Sequence, residues 1–162
     1  MLALIPARSG SKGIKGKNLT NLDGVPLINY TFEQLKYVRS NLKPVLITDD
    51  NKIKKIAKPY NIDIRYKRPA NLSLDKSTIY DTLYDFFLWS SKHYPSEKEF
   101  ILLQPTSPLR RSLDIDLSID NYKSLVSKMV VSVNKTSESI HEIIHIKGED
   151  WSPVIKTNKS IK

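Results

Sequence analysis

Apolar positions along the chain switch between two spacings. Residues 2 to 6, LALIP, form a short apolar run closed by proline, and such a run predicts a buried central strand. A loop from Ala7 to about Asp23 follows. From Pro26 onward Leu27, Ile28, Thr31, Leu35 and Val38 recur at helical spacing, with the proline tolerated in a first turn. Lys43 to Thr48, KPVLIT, reads as a second strand, and Asp49 or Asp50 is placed to cap a helix whose Ile53, Ile56, Ala57 and Tyr60 share one face. IDIRY at 62–66 alternates with period two and predicts a third strand. The polar segment KRPANLSLDKS then leads into a long helix from about Thr78 to His93, with Ile79, Leu83, Phe86 and Phe87 as its stripe. Phe100 to Leu103 is another strand, followed by the loop QPTSPLRRS and a helix from Leu113 to about Leu125 with Leu113, Leu117 and Ile119 inward. Met129 to Val133 predicts a fifth strand. Beyond Asn134 the pattern becomes two extended segments around a turn at Lys147 to Asp150.

Buried strands alternating with helices predict an α/β fold, a three-layer α/β/α arrangement around a mostly parallel sheet with right-handed crossovers, plus a protruding β-hairpin at about 135–156. The 162 residues fit a single domain, 1–162, with no internal repeat. With 40% hydrophobic residues and no apolar run near the ~20 residues that span a bilayer, membrane, fibrous and disordered classes are excluded. The chain has no cysteine, which removes disulfide frameworks, cysteine-zinc sites, thiolate catalysis and iron–sulfur chemistry together. The opening MLALIPARSG has too brief an apolar stretch for a signal peptide, so the expected compartment is cytoplasmic.

The net charge of +9, from 26 Lys+Arg against 17 Asp+Glu, suits nucleic acid, a membrane surface or a small anion, and only its distribution can choose. Glycine narrows the choice: Gly10, Gly13, Gly16 and Gly24 are four of the chain's five glycines. In Ala7-Arg8-Ser9-Gly10-Ser11-Lys12-Gly13-Ile14-Lys15-Gly16-Lys17-Asn18-Leu19, glycines and cations share one loop at the carboxyl end of a predicted strand, the edge at which open α/β sheets bind ligands. Glycines allow backbone N–H groups close to an anion and Arg and Lys neutralise it, which is the chemistry of a phosphate cradle. The spacing is neither G-x-G-x-x-G nor the P-loop pattern. A solvated basic loop is the alternative.

Two further segments follow strand ends. Arg68-Pro69-Ala70-Asn71-Leu72, with Asp75, Ser77 and Thr78 at a helix start, offers a planar donor fork for a base or phosphate, while Ser77 or Thr78 can equally cap the helix. Leu102-Leu103-Gln104-Pro105-Thr106-Ser107-Pro108-Leu109-Arg110 is stiffened by two prolines, and Gln104 carries the donors and acceptor that read a nucleobase edge, unless the segment is an ordinary turn held by Thr106 and Ser107.

IPARSGSKGIKGKNL, RPANLSLDKST and LLQPTSPLR, in this order, resemble the acylneuraminate cytidylyltransferase family, the enzymes that make CMP-sialic acid and related CMP-activated nine-carbon keto sugars. The first loop, with its Lys12-Gly13 pair, is less like that of the cytidylyltransferases for the eight-carbon sugar Kdo. The resemblance covers residues 2 to about 155 and implies a nucleotide-diphospho-sugar transferase-like fold whose hairpin serves dimerisation. It implies that Arg8, Ser11, Lys12, Gly13, Lys17 and Asn18 hold the CTP phosphates and ribose, with Arg8, Lys12 and Lys17 as the catalytic cations, and that Arg68, Ser77 and Gln104 contact the cytidine portion. Asp75 matches an acid of that segment, a loop organiser, and Ile79 stands where several relatives carry a hydroxyl. The implied partners are CTP, an acidic nine-carbon keto sugar and a second copy of the chain, with no nucleic acid and no membrane. Mg²⁺ is the implied cofactor. The family's downstream arginine segment and D-x-D metal pair have no counterpart here, the last aspartate being Asp150, so its metal ligands are expected outside this chain, with weak CTP binding and poor turnover as the result.

His141-Glu142-Ile143-Ile144-His145 matches the H-E-x-x-H zinc pattern, which needs a helix to place both histidines on one face. Ile140, Ile143, Ile144 and Ile146 crowd the segment with β-branched residues, so these are strand histidines. A basic nucleic-acid-binding module is the competing reading. Tyr60 and Tyr66 lie among Lys52, Lys54, Lys55, Lys58, Arg65 and Lys67, but Tyr60 belongs to a helix stripe and no recognition motif is present.

Overall fold

In the computed structural model, residues 1–10, 13–74, 76–124, 129–133, 144–147 and 150–153 are described, and the chain divides into one unit of residues 1–128 and another of residues 129–162. The first apolar run is β1 (Leu2–Pro6), buried through Leu2, Ala3, Leu4 and Ile5. It lies between β4 (Lys43–Ile47) and β5 (Phe100–Leu102) and pairs with both in parallel, in the order β4-β1-β5. A strand paired on both edges must bury both faces, which is why LALIP is apolar without interruption.

Alternate β1 side chains face different helices. Ile5 and Ala7 join Ile28 and Phe32 of α1 (Leu27–Lys36) and Ile53 and Ala57 of α2 (Asn51–Ala57). Leu2 and Leu4 join Phe86 of α3 (Ile79–His93), together with Tyr66, whose ring meets Phe86 edge-on at 5.2 Å. Ala3 packs with Ile115 and Ile119 of α4 (Ser112–Ser124). The result is the expected three-layer α/β arrangement.

Three expectations are corrected. Residues 62–66 do not form a strand: Asp63 makes one parallel bridge to Val45, donating to the Pro44 carbonyl and accepting from Leu46, both at 2.9 Å. The Asp63 carboxylate then takes the Arg65 N–H at 2.8 Å and its guanidinium at 2.6 Å, a local bond that competes with continuing the ladder. Residues 129–133 do not form a strand either, and Val133 is 91% exposed. β-propensity reports fit to a half-buried pleated surface, which so exposed a segment lacks.

The third correction is the rotation of α4. Leu113 and Leu117 are each 48% exposed, whereas Ile115, Asp116 and Ile119 are buried. The Asp116 carboxylate accepts from the backbone N–H groups of Arg39 at 3.1 Å and Ser40 at 3.0 Å and from the Ser40 hydroxyl at 2.9 Å, just beyond α1. Satisfying those donors turns the helix so that the isoleucines flanking Asp116 face the sheet.

The stretch read as loop to Asp23 contains a 3₁₀ turn at Lys17–Leu19 and a small hairpin of β2 (Asn21–Leu22) and β3 (Val25–Pro26). Asp23 and Gly24, at φ 50° and 77°, form the two-residue turn for which Asp-Gly is suited. In the second unit β6 (Ile144–Lys147) and β7 (Asp150–Pro153) pair antiparallel, Lys147 opposite Asp150. His145 therefore sits on a strand, while His141 and Glu142 lie outside the described residues.

The rotation of α4 sets one expected contrast. Ile115→Ala should cost roughly 2–5 kcal/mol and Leu117→Ala less than about 1 kcal/mol in denaturant unfolding. Asp116 sets a second. Backbone hydrogen bonds from Arg39 outweigh burial and, with those from Ser40, hold its pKa at about 2. A lowered folded pKa stabilises the protein above the unfolded value, and that stability is lost as pH falls from about 4 towards 2. Asp116→Asn should remove this acid-side slope, read as the unfolding midpoint against pH.

Candidate active site

Parallel pairing brings the carboxyl ends of β1, β4 and β5 to one edge, and the three loops of interest leave from it. The β1 ladder continues one residue beyond the strand, with the Ala7 N–H donating to the Ile47 carbonyl at 3.0 Å. The Thr48 hydroxyl donates to the Ala7 carbonyl. Asn18, buried in the 3₁₀ turn, donates through Nδ2 to the Arg8 carbonyl at 3.0 Å. Gly16, at φ 65°, supplies the left-handed step that begins this turn and sets Lys17 at the cleft.

The second loop leaves the Asp63 bridge and is tied back by the Arg68 N–H, 3.4 Å from the Thr48 carbonyl. Arg68 is buried, and its Nε and Nη2 both donate to the Leu72 carbonyl, at 3.1 and 2.5 Å, closing the 3₁₀ turn Ala70–Ser73. Arg8 Nη1 reaches the Ser73 carbonyl at 3.3 Å, and the Ser77 hydroxyl donates to the Asn71 carbonyl at 2.7 Å. Thr78, rather than Ser77, caps α3, in a reciprocal box with Asp81.

On the third loop, the Leu103 N–H continues the β5 ladder to Leu4 at 2.9 Å, and exposed Gln104 begins a turn closed by the Ser107 N–H at 3.2 Å. The loop is fastened to α1. Gln34 Nε2 donates to the Pro108 carbonyl at 2.8 Å, and Arg110 Nη2 donates to Gln34 Oε1 at 3.0 Å.

Between the loops lies a cleft of about 230 Å³ lined by Pro6, Arg8, Gly10, Lys17, Asn18, Arg68, Ser77, Ile79, Gln104, Pro105 and Thr106. Six residues singled out in the sequence, Arg8, Lys17, Asn18, Arg68, Ser77 and Gln104, thus meet in one place. Gly13 does not line it, and Ser11, Lys12 and Asp75 lie outside the described residues. Ile79, assigned to the core stripe, forms part of the cleft wall instead, because it is the first residue of α3 and stands at the ligand edge.

No carboxylate is among the described lining residues, where Arg8, Lys17 and Arg68 form a cationic wall interleaved with neutral donors. Burial lowers the Arg68 pKa and the nearby Arg8 adds to it, while Asp49 opposes both. Such a wall attracts anions, and its neutral donors can hydrogen-bond a polar group. Among the described lining residues the charged groups are all cations, a donor set that does not fit the Mg²⁺ that the resemblance implies.

Asp49 adds a contact that strand and helix signals do not show. Burial alone would raise its pKa, yet hydrogen bonds from the Ser9 hydroxyl and N–H hold it below the usual carboxylate value. Capping of α2 falls to Asp50, which accepts the Lys52 N–H at 2.7 Å. The one available signal for Asp49 was its place directly after a strand on the ligand edge. Gln34 had none, since within α1 it looks like any polar helix residue.

Residues 2–147 match the family model described as Cytidylyltransferase. The chain belongs to the cytidylyltransferase family. It is 34% identical over 139 residues to the N-acylneuraminate cytidylyltransferase of Streptococcus agalactiae serotype V, a match covering 85% of this chain and 32% of that protein. The N-acylneuraminate cytidylyltransferase of Escherichia coli O18:K1:H7 is 35% identical over the same shares. The CMP-N,N'-diacetyllegionaminic acid synthase of Legionella pneumophila is 34% identical across 85% of this chain and 59% of its own length. The chain thus spans about a third to three-fifths of the length of these relatives.

Among solved structures, a cytidylyltransferase from Leptospira borgpetersenii superposes with a TM-score of 0.57 at 25% identity, over 75% of this chain and 48% of that one. A CMP:2-keto-3-deoxy-manno-octonic acid synthetase complexed with CTP gives the same TM-score at 22% identity over 76% and 47%, which shows the shared fold.

Gln34→Ala would remove the donor to the Pro108 carbonyl and the shortest hydrogen bond of the Arg110 guanidinium, whose Nε is already buried without a partner among the described residues. The expected loss is about 1–3 kcal/mol of stability in urea unfolding.

Proposed function

We propose that this chain forms the nucleotide-binding part of an enzyme that transfers CMP from CTP to the anomeric hydroxyl of a sialic-acid-like nonulosonic acid. The carrying observation is the convergence of Arg8, Lys17, Arg68 and Gln104 on one cleft at the carboxyl edge of a parallel sheet. The names of the relatives, N-acylneuraminate cytidylyltransferase and CMP-N,N'-diacetyllegionaminic acid synthase, support the substrate class.

In this reading the anomeric oxygen attacks the α-phosphorus, the bond to the β-phosphate oxygen breaks, and pyrophosphate leaves. Negative charge builds on the phosphoryl oxygens, so what the protein must supply is fixed cationic positioning. Arg8, Lys12 and Lys17 are assigned to the phosphates. Ser11, Gly13 and Asn18 are assigned to the phosphates and ribose, and Arg68, Ser77 and Gln104 to the cytidine portion. Mg²⁺, when bound, would neutralise phosphate charge.

A homodimer that uses the β6–β7 hairpin, and a cytoplasmic setting, belong to the same proposal; among the described residues no helix is long and apolar enough to cross a membrane. Dimerisation is tested by the sedimentation of the chain with and without residues 135–162.

Titration calorimetry tests the nucleotide reading. CTP should bind in preference to a single-stranded oligonucleotide at physiological salt, with Arg8→Ala and Lys17→Ala each weakening CTP tenfold to a hundredfold, following the ~1.5–3 kcal/mol of a hydrogen bond to a charged group. Oligonucleotide binding that exceeds CTP binding would favour a nucleic-acid module instead.

A further inference from the structure

We infer that Asp49 is a positioning residue for the cationic loop, an inference that rests on the cleft being a nucleotide site. Its carboxylate grips Ser9 twice, Oδ1 accepting the Ser9 N–H at 2.8 Å and Oδ2 the Ser9 hydroxyl at 2.6 Å, and a further side-chain hydrogen bond joins it to Ser73. Gripping main chain and side chain together fixes both the backbone and the rotamer of Ser9. Its neighbour Arg8 is then held from other sides, with its carbonyl taken by Asn18 at 3.0 Å and its guanidinium at the Ser73 carbonyl at 3.3 Å. Residues 8 and 9 are thus anchored to the end of β4, the turn at Lys17–Leu19 and the turn at Ala70–Ser73.

Helix capping and support of the strand end fall to its neighbours. Asp50 caps α2, Thr48 supports the Ala7 carbonyl, and Asp49 lies outside the cleft lining. Its negative charge, felt by Arg68 and Lys54, works against binding of any anion at this edge. What the carboxylate contributes must therefore be geometry. It holds the Arg8 segment in its binding shape before the ligand arrives, so that less ordering is left for binding to supply.

Geometry and charge separate in a variant series. Asp49→Asn keeps an oxygen for the Ser9 N–H and offers an amide that the Ser9 hydroxyl oxygen accepts, so it removes the charge and keeps the latch. Asp49→Ala removes both, and Ser9→Ala removes one of the two hydrogen bonds. CTP affinity is measured by calorimetry on the 162-residue chain well below each variant's unfolding midpoint, with Lys17→Ala alongside.

The expected order is a loss of tenfold to roughly a hundredfold for Asp49→Ala, a smaller loss for Ser9→Ala, and an affinity for Asp49→Asn within about threefold of the parent chain. Equal weakening by Asp49→Asn and Asp49→Ala, or unchanged affinity in Ser9→Ala and Asp49→Ala, overturns the latch while leaving the nucleotide site in place if Lys17→Ala still weakens CTP. Should Asp49→Ala fail to fold, Ser9→Ala against Asp49→Asn decides the matter alone. If the parent chain does not bind CTP at all, the nucleotide reading falls, and the latch with it.

Discussion

The parallel pairing of β1 with β4 on one side and β5 on the other governs what the rest of the molecule can do. In a parallel sheet every strand ends at the same edge, so the loops after Pro6, Ile47 and Leu102 are delivered to one place although some 40 to 55 residues separate them. The two-sided burial of the central strand makes this rigid. Ile5 is locked against α1 and α2 while Leu4 is locked against Tyr66 and Phe86, and a slip of register would exchange those faces. The ladder also runs past the formal strand ends, through Ala7 and Leu103, so the loops leave from fixed points.

Crowding cations at one edge has an electrostatic cost, and the chain meets it with acceptors behind the cleft. Arg8 and Arg68 both donate to carbonyls of the 70–73 turn region. Among the described residues none of the cleft lining is a carboxylate. Such an arrangement keeps the guanidinium groups in place without neutralising the surface that meets the ligand.

A second set of contacts holds the far wall. Gln34 joins α1 to the loop after β5 through Pro108 and Arg110, and the Ser112 hydroxyl donates to the Gln34 carbonyl at 2.7 Å. Gln104 therefore stands on a loop braced from behind by a helix that precedes it by some 70 residues. The prolines limit the loop's own freedom, and α1 fixes its direction.

The sequence by itself determined the strands and helices whose pattern is local: LALIP with no polar interruption, the α3 stripe of Leu83, Phe86 and Phe87, and a glycine-spaced basic loop at a strand end. It also named six of the residues that line the cleft. Tertiary structure decided the rest. Residues 62–66 stopped at one bridge because Asp63 turned its carboxylate to Arg65, and α4 rotated to give Asp116 to the backbone of Arg39 and Ser40. The parts played by Asp49 and Gln34 are likewise set by partners 40 and 74 residues away. Periodicity records which residues leave water, a property of each segment alone; the partner of a buried polar group is chosen only when distant segments meet.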